Sequence, residues 1–126
     1  MTNKELILKA IEVKENAYAP YSNFKVGAVV LTESGNIYTG TNIENSSYPN
    51  TCCAEKNAIS SAISNKEKIV KIAIFGDSPY TYPCGACRQI MVEFNPNMEV
   101  IVGEDENNYK THTASELLPY YFSLNK

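Results

Sequence analysis

Apolar positions recur along this chain in two rhythms, at three- to four-residue spacing in some stretches and almost without interruption in others. Leu6, Ile7, Ala10 and Ile11 fall at helical spacing. Thr2-Asn3-Lys4-Glu5 ahead of them has the form of a capping box, with Thr2 at the N-cap and Glu5 reaching back. A helix is therefore predicted from about Asn3 to Ala17. It cannot continue through Tyr18-Ala19-Pro20-Tyr21-Ser22, because Pro20 restricts Ala19 to extended backbone. Phe24 to Leu31 is rich in β-branched residues and predicts a strand. Ser34-Gly35-Asn36 predicts a hairpin turn and Ile37 to Ile43 the return strand, with Gly40 as a weak point or bulge. Asn45 to Thr51 reads as a polar loop.

A second helix is predicted from Cys53 to about Asn65, with Ala54, Ala58, Ile59, Ala62 and Ile63 as its apolar stripe. Ile69 to Phe75 is nearly all apolar, the mark of a strand covered on both faces. Gly76 to Pro83 is a loop, and Cys84 opens a third helix that stops before Pro96. Val100 to Val102 is a short buried strand, and Thr111 and Thr113 suit a fifth, edge strand. Thr113-Ala114-Ser115-Glu116 forms a second capping box for a short last helix ended by Pro119. The strand–helix–strand run implies a parallel pair with a right-handed crossover, hence an α/β mixed sheet with helices on both faces.

The length of 126 residues suits one domain over 1–126, and 44% hydrophobic residues suffice for a core. The net charge of −3 and the lack of any Lys/Arg cluster argue against a nucleic-acid partner. The first helix is too polar for a signal peptide, and no apolar run approaches the ~18 residues of a membrane span. A cytoplasmic location follows as an expectation. There, four cysteines read as metal-binding or reactive more readily than as disulfides.

Three of those cysteines fall in a chemical pattern. Cys53-Ala54-Glu55 and Pro83-Cys84-Gly85-Ala86-Cys87 match the arrangement in which zinc deaminases of nucleobases hold their metal, with Cys in the first place. Cys84 and Cys87, three positions apart at a helix start, put both sulfurs on one face. Two helix N-termini, each carrying roughly half a positive charge, would offset the excess charge of three thiolates around Zn²⁺. Three protein ligands leave a fourth tetrahedral position for water, the catalytic form of a zinc site, and zinc brings such water to a pKa of about 7. Glu55 would move its protons. Cys53 and Glu55 do not share a helical face, so Cys53 must sit at the N-cap or first position. The competing reading is a structural site closed by Cys52 as fourth ligand. Adjacent side chains diverge, so Cys52 is instead expected to be a packed thiol, and His112 a surface residue.

The sequence resembles the small homo-oligomeric cytidine deaminases over nearly its whole length. The resemblance rests on Tyr18-Ala19-Pro20-Tyr21-Ser22-Asn23-Phe24-Lys25-Val26-Gly27-Ala28, Asn42-Ile43-Glu44-Asn45, the two cysteine motifs with Arg88-Gln89, and Glu116-Leu117-Leu118-Pro119. It implies a three-layer α/β/α sandwich with about five strands. It also implies one Zn²⁺ per subunit and conversion of cytidine or deoxycytidine to uridine or deoxyuridine plus ammonia, a reaction of pyrimidine salvage. By position, Cys53, Cys84 and Cys87 would be ligands and Glu55 the proton shuttle during attack at C4. Asn42 and Glu44 would hold a ribose hydroxyl, Phe24 would pack on the nucleoside, and main-chain groups of Ala54 would read the base edge. Phe122 would stack on the pyrimidine. Ser46 and Tyr48 would reach a neighbouring subunit's site, in a homotetramer or homodimer.

Two departures stand out. Lys56 occupies the place where three-cysteine members usually carry Arg, supplying charge without the guanidinium's fixed fork. Tyr120-Tyr121 replaces smaller residues before Phe122. The alternatives are a deaminase of another cytosine nucleoside such as blasticidin S, and a zinc-stabilised binding module without catalysis.

Overall fold

The structure, a computed structural model, describes residues 1–124. Its first helix begins where the capping box closes: the Thr2 hydroxyl accepts from the Glu5 N–H at 3.1 Å, and the Glu5 carboxylate accepts from the Thr2 N–H at 2.9 Å. Helix α1 spans Asn3–Lys14, three residues short of the predicted end. The amides of Asn16 and Ala17 turn back three residues, to the carbonyls of Val13 and Lys14. The Tyr18 N–H then leaves the helix altogether and donates to the Asn42 carbonyl.

The strands are β1 (Val26–Thr32), β2 (Ile37–Thr41), β3 (Ile69–Gly76), β4 (Glu99–Asp105) and β5 (Asn108–Thr113). They form one mixed sheet in the order β2-β1-β3-β4-β5, in which only β3 and β4 run parallel. The remaining helices are α2 (Ala54–Ser64), α3 (Gly85–Phe94) and α4 (Ala114–Leu117), the last behind its own capping box at Thr113. Strand β1 starts two residues later than predicted because Phe24 and Lys25 bond elsewhere. The Phe24 N–H donates to the Ser22 hydroxyl, and the Lys25 N–H to the Asp77 carboxylate at 2.7 Å. The Lys14 ammonium binds the other Asp77 oxygen at 2.6 Å and holds its pKa below the usual carboxylate range. One carboxylate thus ties together the end of α1, the entry to β1 and the exit from β3.

Alternation along the strands divides the core. Val29, Leu31, Ala73 and Ile101 face α1, where they meet Leu6, Ile7, Ala10 and Val13. Ala28, Val30, Ile72, Ile74, Val100 and Val102 face the other way, onto Ala54, Ala58, Ile59 and Ala62 of α2 and Cys87, Met91 and Val92 of α3. Each fully buried Ile or Val contributes roughly 1.5–3 kcal/mol. The result is the three-layer α/β/α sandwich.

Gly40 forms no bulge. It pairs with Ala28 in unbroken register, and its lack of a side chain serves the packing of α2. A Cβ there would lie 2.5 Å from the Ala58 nitrogen and 2.6 Å from the Ala54 carbonyl oxygen. The Asn57 side-chain amide closes the same contact by donating to the Thr41 carbonyl at 2.8 Å. Helix α2 therefore lies flat on β2, and this seating sets the height at which its first turn meets the sheet.

Gly40→Ala should cost about 1–3 kcal/mol through overpacking against helix backbone. Gly85→Ala, where a Cβ would meet nothing within 4 Å, should be neutral or stabilising. Urea unfolding of both variants beside the parent checks the contrast; a Gly40→Ala protein as stable as the parent would refute the close seating.

Candidate active site

Both helices on the α2/α3 face begin on a cysteine. Cys53 is the N-cap of α2, with φ −73 and ψ 153, and Cys84 the N-cap of α3, with φ −71 and ψ 171. Neither side chain caps its helix by a hydrogen bond, so both sulfurs are turned to other use. Cys87 lies one turn into α3 and is buried against the core. The sulfurs of Cys53, Cys84 and Cys87 all lie within 4.8 Å of one another. Cys52 is outside this group, half-buried, with its thiol directed at the Asn50 carbonyl at 3.7 Å.

The N-cap position of Cys53 lets Glu55 turn inward with it. Glu55 is 6% exposed and lines the same cleft as Cys53 and Cys84. Burial pushes its pKa up to about 7, with a smaller push from the charge of Cys53. The Cys53 thiol moves the other way, to about 6, through hydrogen bonds with Cys87 and Cys84 and the ammonium of Lys56. Cys87 is pushed well up by its bond to Cys53 and by burial. The exposed Lys56 acts here at a distance, as a charge.

The cleft beside the sulfurs encloses about 330 Å³ and is lined by Phe24, Asn42, Glu44, Ala54 and Glu55, among others. A second cleft of about 430 Å³ adjoins it, sharing Ser22, Glu44 and Thr51 and adding Tyr21, Asn45 and Tyr48. The wall between them is knitted by two side chains. Asn42 accepts from the Val26 N–H at 2.9 Å and donates to the Phe24 carbonyl at 2.8 Å. Glu44 accepts from the N–H groups of Tyr21 at 2.9 Å and Ser22 at 3.1 Å, and from the Ser22 hydroxyl. These bonds, led by that of the Ser22 hydroxyl, hold the Glu44 pKa below its ordinary value. Asn23, at φ 57, makes the left-handed step that brings Phe24 back toward the sheet.

Other residues singled out from the sequence lie apart. Ser46 lines neither cleft; its hydroxyl is 2.6 Å from that of Tyr21. Phe122 is 67% exposed and also lines neither, while its carbonyl accepts from the Gln89 side chain at 2.9 Å. His112 is half-buried and sits 2.9 Å from the Tyr82 hydroxyl, away from the sulfurs. Arg88, beside the ligand turn, donates to the carbonyls of Pro83 at 2.8 Å and Leu117 at 2.9 Å, locking the entry to α3 against α4.

Sequence reasoning gave no role to Ser22, Thr81 or Tyr82, all of which line the inner cleft. A local signal existed for Ser22, whose hydroxyl accepts from the N–H two residues on, a turn typical of serine. Thr81 and Tyr82 enter through the β3–α3 loop, whose course no local pattern specifies.

Comparison with known proteins agrees with this geometry. Residues 1–104 match the family model described as the cytidine and deoxycytidylate deaminase zinc-binding region. A cytidine deaminase of Halalkalibacterium halodurans is 43% identical over 126 residues, spanning 98% of this chain and 96% of its own. A probable cytidine deaminase of Dictyostelium discoideum is 43% identical over 128 residues, covering 96% and 86%. The crystal structure of a cytidine deaminase from Burkholderia pseudomallei superposes with a TM-score of 0.92 at 41% identity, covering 97% of this chain and all of that one.

The donor set fits zinc. Three soft sulfurs are grouped within 4.8 Å, one already inclined to ionise, at the positive ends of two helices. Replacing Cys53, Cys84 or Cys87 singly by Ser should lower bound zinc from about one equivalent to a small fraction, whereas Cys52→Ser should leave it unchanged. Metal analysis of the purified proteins checks this; zinc lost from Cys52→Ser would show a fourth sulfur ligand.

Proposed function

The chain belongs to the cytidine and deoxycytidylate deaminase family, and from that premise we propose that it hydrolyses cytidine and deoxycytidine to uridine and deoxyuridine, releasing ammonia. Cys53, Cys84 and Cys87 would hold the zinc. When bound there, zinc supplies a Lewis acid that lets water ionise near neutral pH. The remaining work falls to the chain's own groups.

The reaction replaces the exocyclic C4–N bond of cytosine by a C4–O bond from water. The ring nitrogen must gain a proton as oxygen adds, and the amino group must gain one as it leaves. Glu55 is the carboxyl best suited to both transfers. It is buried beside the sulfur trio, and a pKa near 7 lets it accept and return a proton at neutral pH. This carboxyl, buried in the cleft beside three grouped sulfurs, is the observation that carries the reading.

Asn42 and Glu44 would bind a ribose hydroxyl, Phe24 would lie against the nucleoside, and the main chain at Ala54 would meet the base edge. Their common place on one cleft supports these roles. A free nucleoside is favoured over a nucleotide. Among the described residues lining the two clefts none is Lys or Arg, and Glu44 is itself anionic, so a phosphate would find no counter-charge. The cytidine deaminase relatives favour cytidine over an antibiotic nucleoside.

We further propose a single catalytic domain that assembles as a homotetramer or homodimer, with the loop at Ser46 and Tyr48 meeting a neighbouring copy. The exposure of Tyr18, Tyr21, Ile43 and Tyr48 around the cleft supports such a contact. A cytoplasmic location suits four free thiols, three of which must stay reduced to bind metal. No helix among the described residues is long and apolar enough to cross a membrane.

Glu55→Gln should retain zinc and fold but lose turnover of cytidine by about 10²–10⁴-fold. The fall in ultraviolet absorbance as cytidine becomes uridine measures it, with zinc counted in the same sample. Undiminished turnover would remove Glu55 from the mechanism, and wild-type protein inert toward cytidine would defeat the assignment.

A further inference from the structure

The two oxygens of Glu44 are not equivalent. Oε1 accepts from two backbone N–H groups, of Tyr21 and Ser22, which uses both its lone pairs. Oε2 accepts from the Ser22 hydroxyl and keeps one lone pair. A ligand hydroxyl that donates to this carboxylate must therefore reach Oε2, the oxygen that Ser22 holds. The same Ser22 oxygen accepts from the Phe24 N–H at 3.0 Å. It thus fixes the carboxylate that meets the sugar and the backbone that carries Phe24. Ser22 also lines both clefts, at the point where they join.

We propose that Ser22 is a positioning residue that sets the preference for nucleosides bearing ribose ring hydroxyls, by aiming the free lone pair of Glu44 Oε2 into the cleft. The inference rests on the nucleoside deaminase reading above. The Ser22 proton is committed to Glu44, so the serine itself offers a ligand no donor. Its effect on the sugar passes through the carboxylate. Removing the hydroxyl leaves Oε2 free to turn toward water, and the geometry that discriminates between a sugar with and without ring hydroxyls is lost.

A role confined to holding the loop gives a different result, because a loosened Phe24 weakens every cytosine nucleoside alike. The test compares zinc-loaded wild type, Ser22→Ala and Ser22→Thr on two ligands. Cytidine is followed as substrate, and 2′,3′-dideoxycytidine, with the same base and no ring hydroxyls, as a competitive inhibitor of its turnover. Ser22→Ala should reduce the preference, read as the inhibition constant of the dideoxynucleoside over the KM of cytidine, about tenfold. The change should lie in the KM for cytidine more than in kcat, and Ser22→Thr should restore most of it. Ser22→Cys, nearly isosteric and a weak donor, carries the same test if Ser22→Ala does not fold. A preference unchanged in the hydroxyl-free variants, or equal weakening of both ligands, would overturn the proposal. Wild-type protein that neither turns over cytidine nor binds its dideoxy analogue overturns the deaminase reading and this role together.

Discussion

Three sulfurs within 4.8 Å of one another are the constraint around which this fold is arranged. As thiolates they repel, and a divalent ion alone does not cancel their charge. The chain answers by placing two helix N-termini at the cluster and using cysteines as the N-cap residues, so that the partial positive charge of each helix falls on the ligands. This requires α2 and α3 to be seated on the same face of the sheet with little tolerance. Gly40, with no room for even a methyl group, and the Asn57–Thr41 bond seat the first helix. Arg88, bonded to the carbonyls of Pro83 and Leu117, secures the second.

The same seating buries a carboxyl beside the sulfurs. A glutamate two residues into a helix would ordinarily stand in solvent and remain ionised. Here the N-cap position of Cys53 rotates Glu55 into the cleft, and burial raises its pKa to about 7. The start of α2 thus places both a sulfur of the trio and a buried carboxyl. Lys56, next in line, points outward and influences Cys53 only through its charge.

The end of the cleft at Asn42 and Glu44 is built on another principle. Asn42 and Glu44 follow the end of β2, and their polar atoms are largely spent on the backbone of residues 21–26. Few lone pairs and protons on them are left over for any ligand. The geometry at this end therefore depends on the loop as much as on the two side chains, with Ser22 bonded to both the Glu44 carboxylate and the Phe24 N–H.

Local chemistry along the chain was enough to determine much of this. Both capping boxes, the Ser34-Gly35-Asn36 turn, the doubly covered strand β3 and the two helix starts on cysteine follow from interactions between residues at most a few positions apart. The trio of cysteines and its glutamate were also readable, because their spacing is itself the chemistry. What sequence could not decide depends on contacts between distant segments. Gly40 reads locally as a weak point, but only the approach of α2 makes it a seat. Which Glu44 oxygen keeps a spare lone pair is decided by a loop more than twenty residues away. Phe122, expected over the pyrimidine, stands exposed with its carbonyl tied to Gln89. Spacing along a helix or strand fixes a direction for each side chain, but where two such directions meet is set by packing across the sheet.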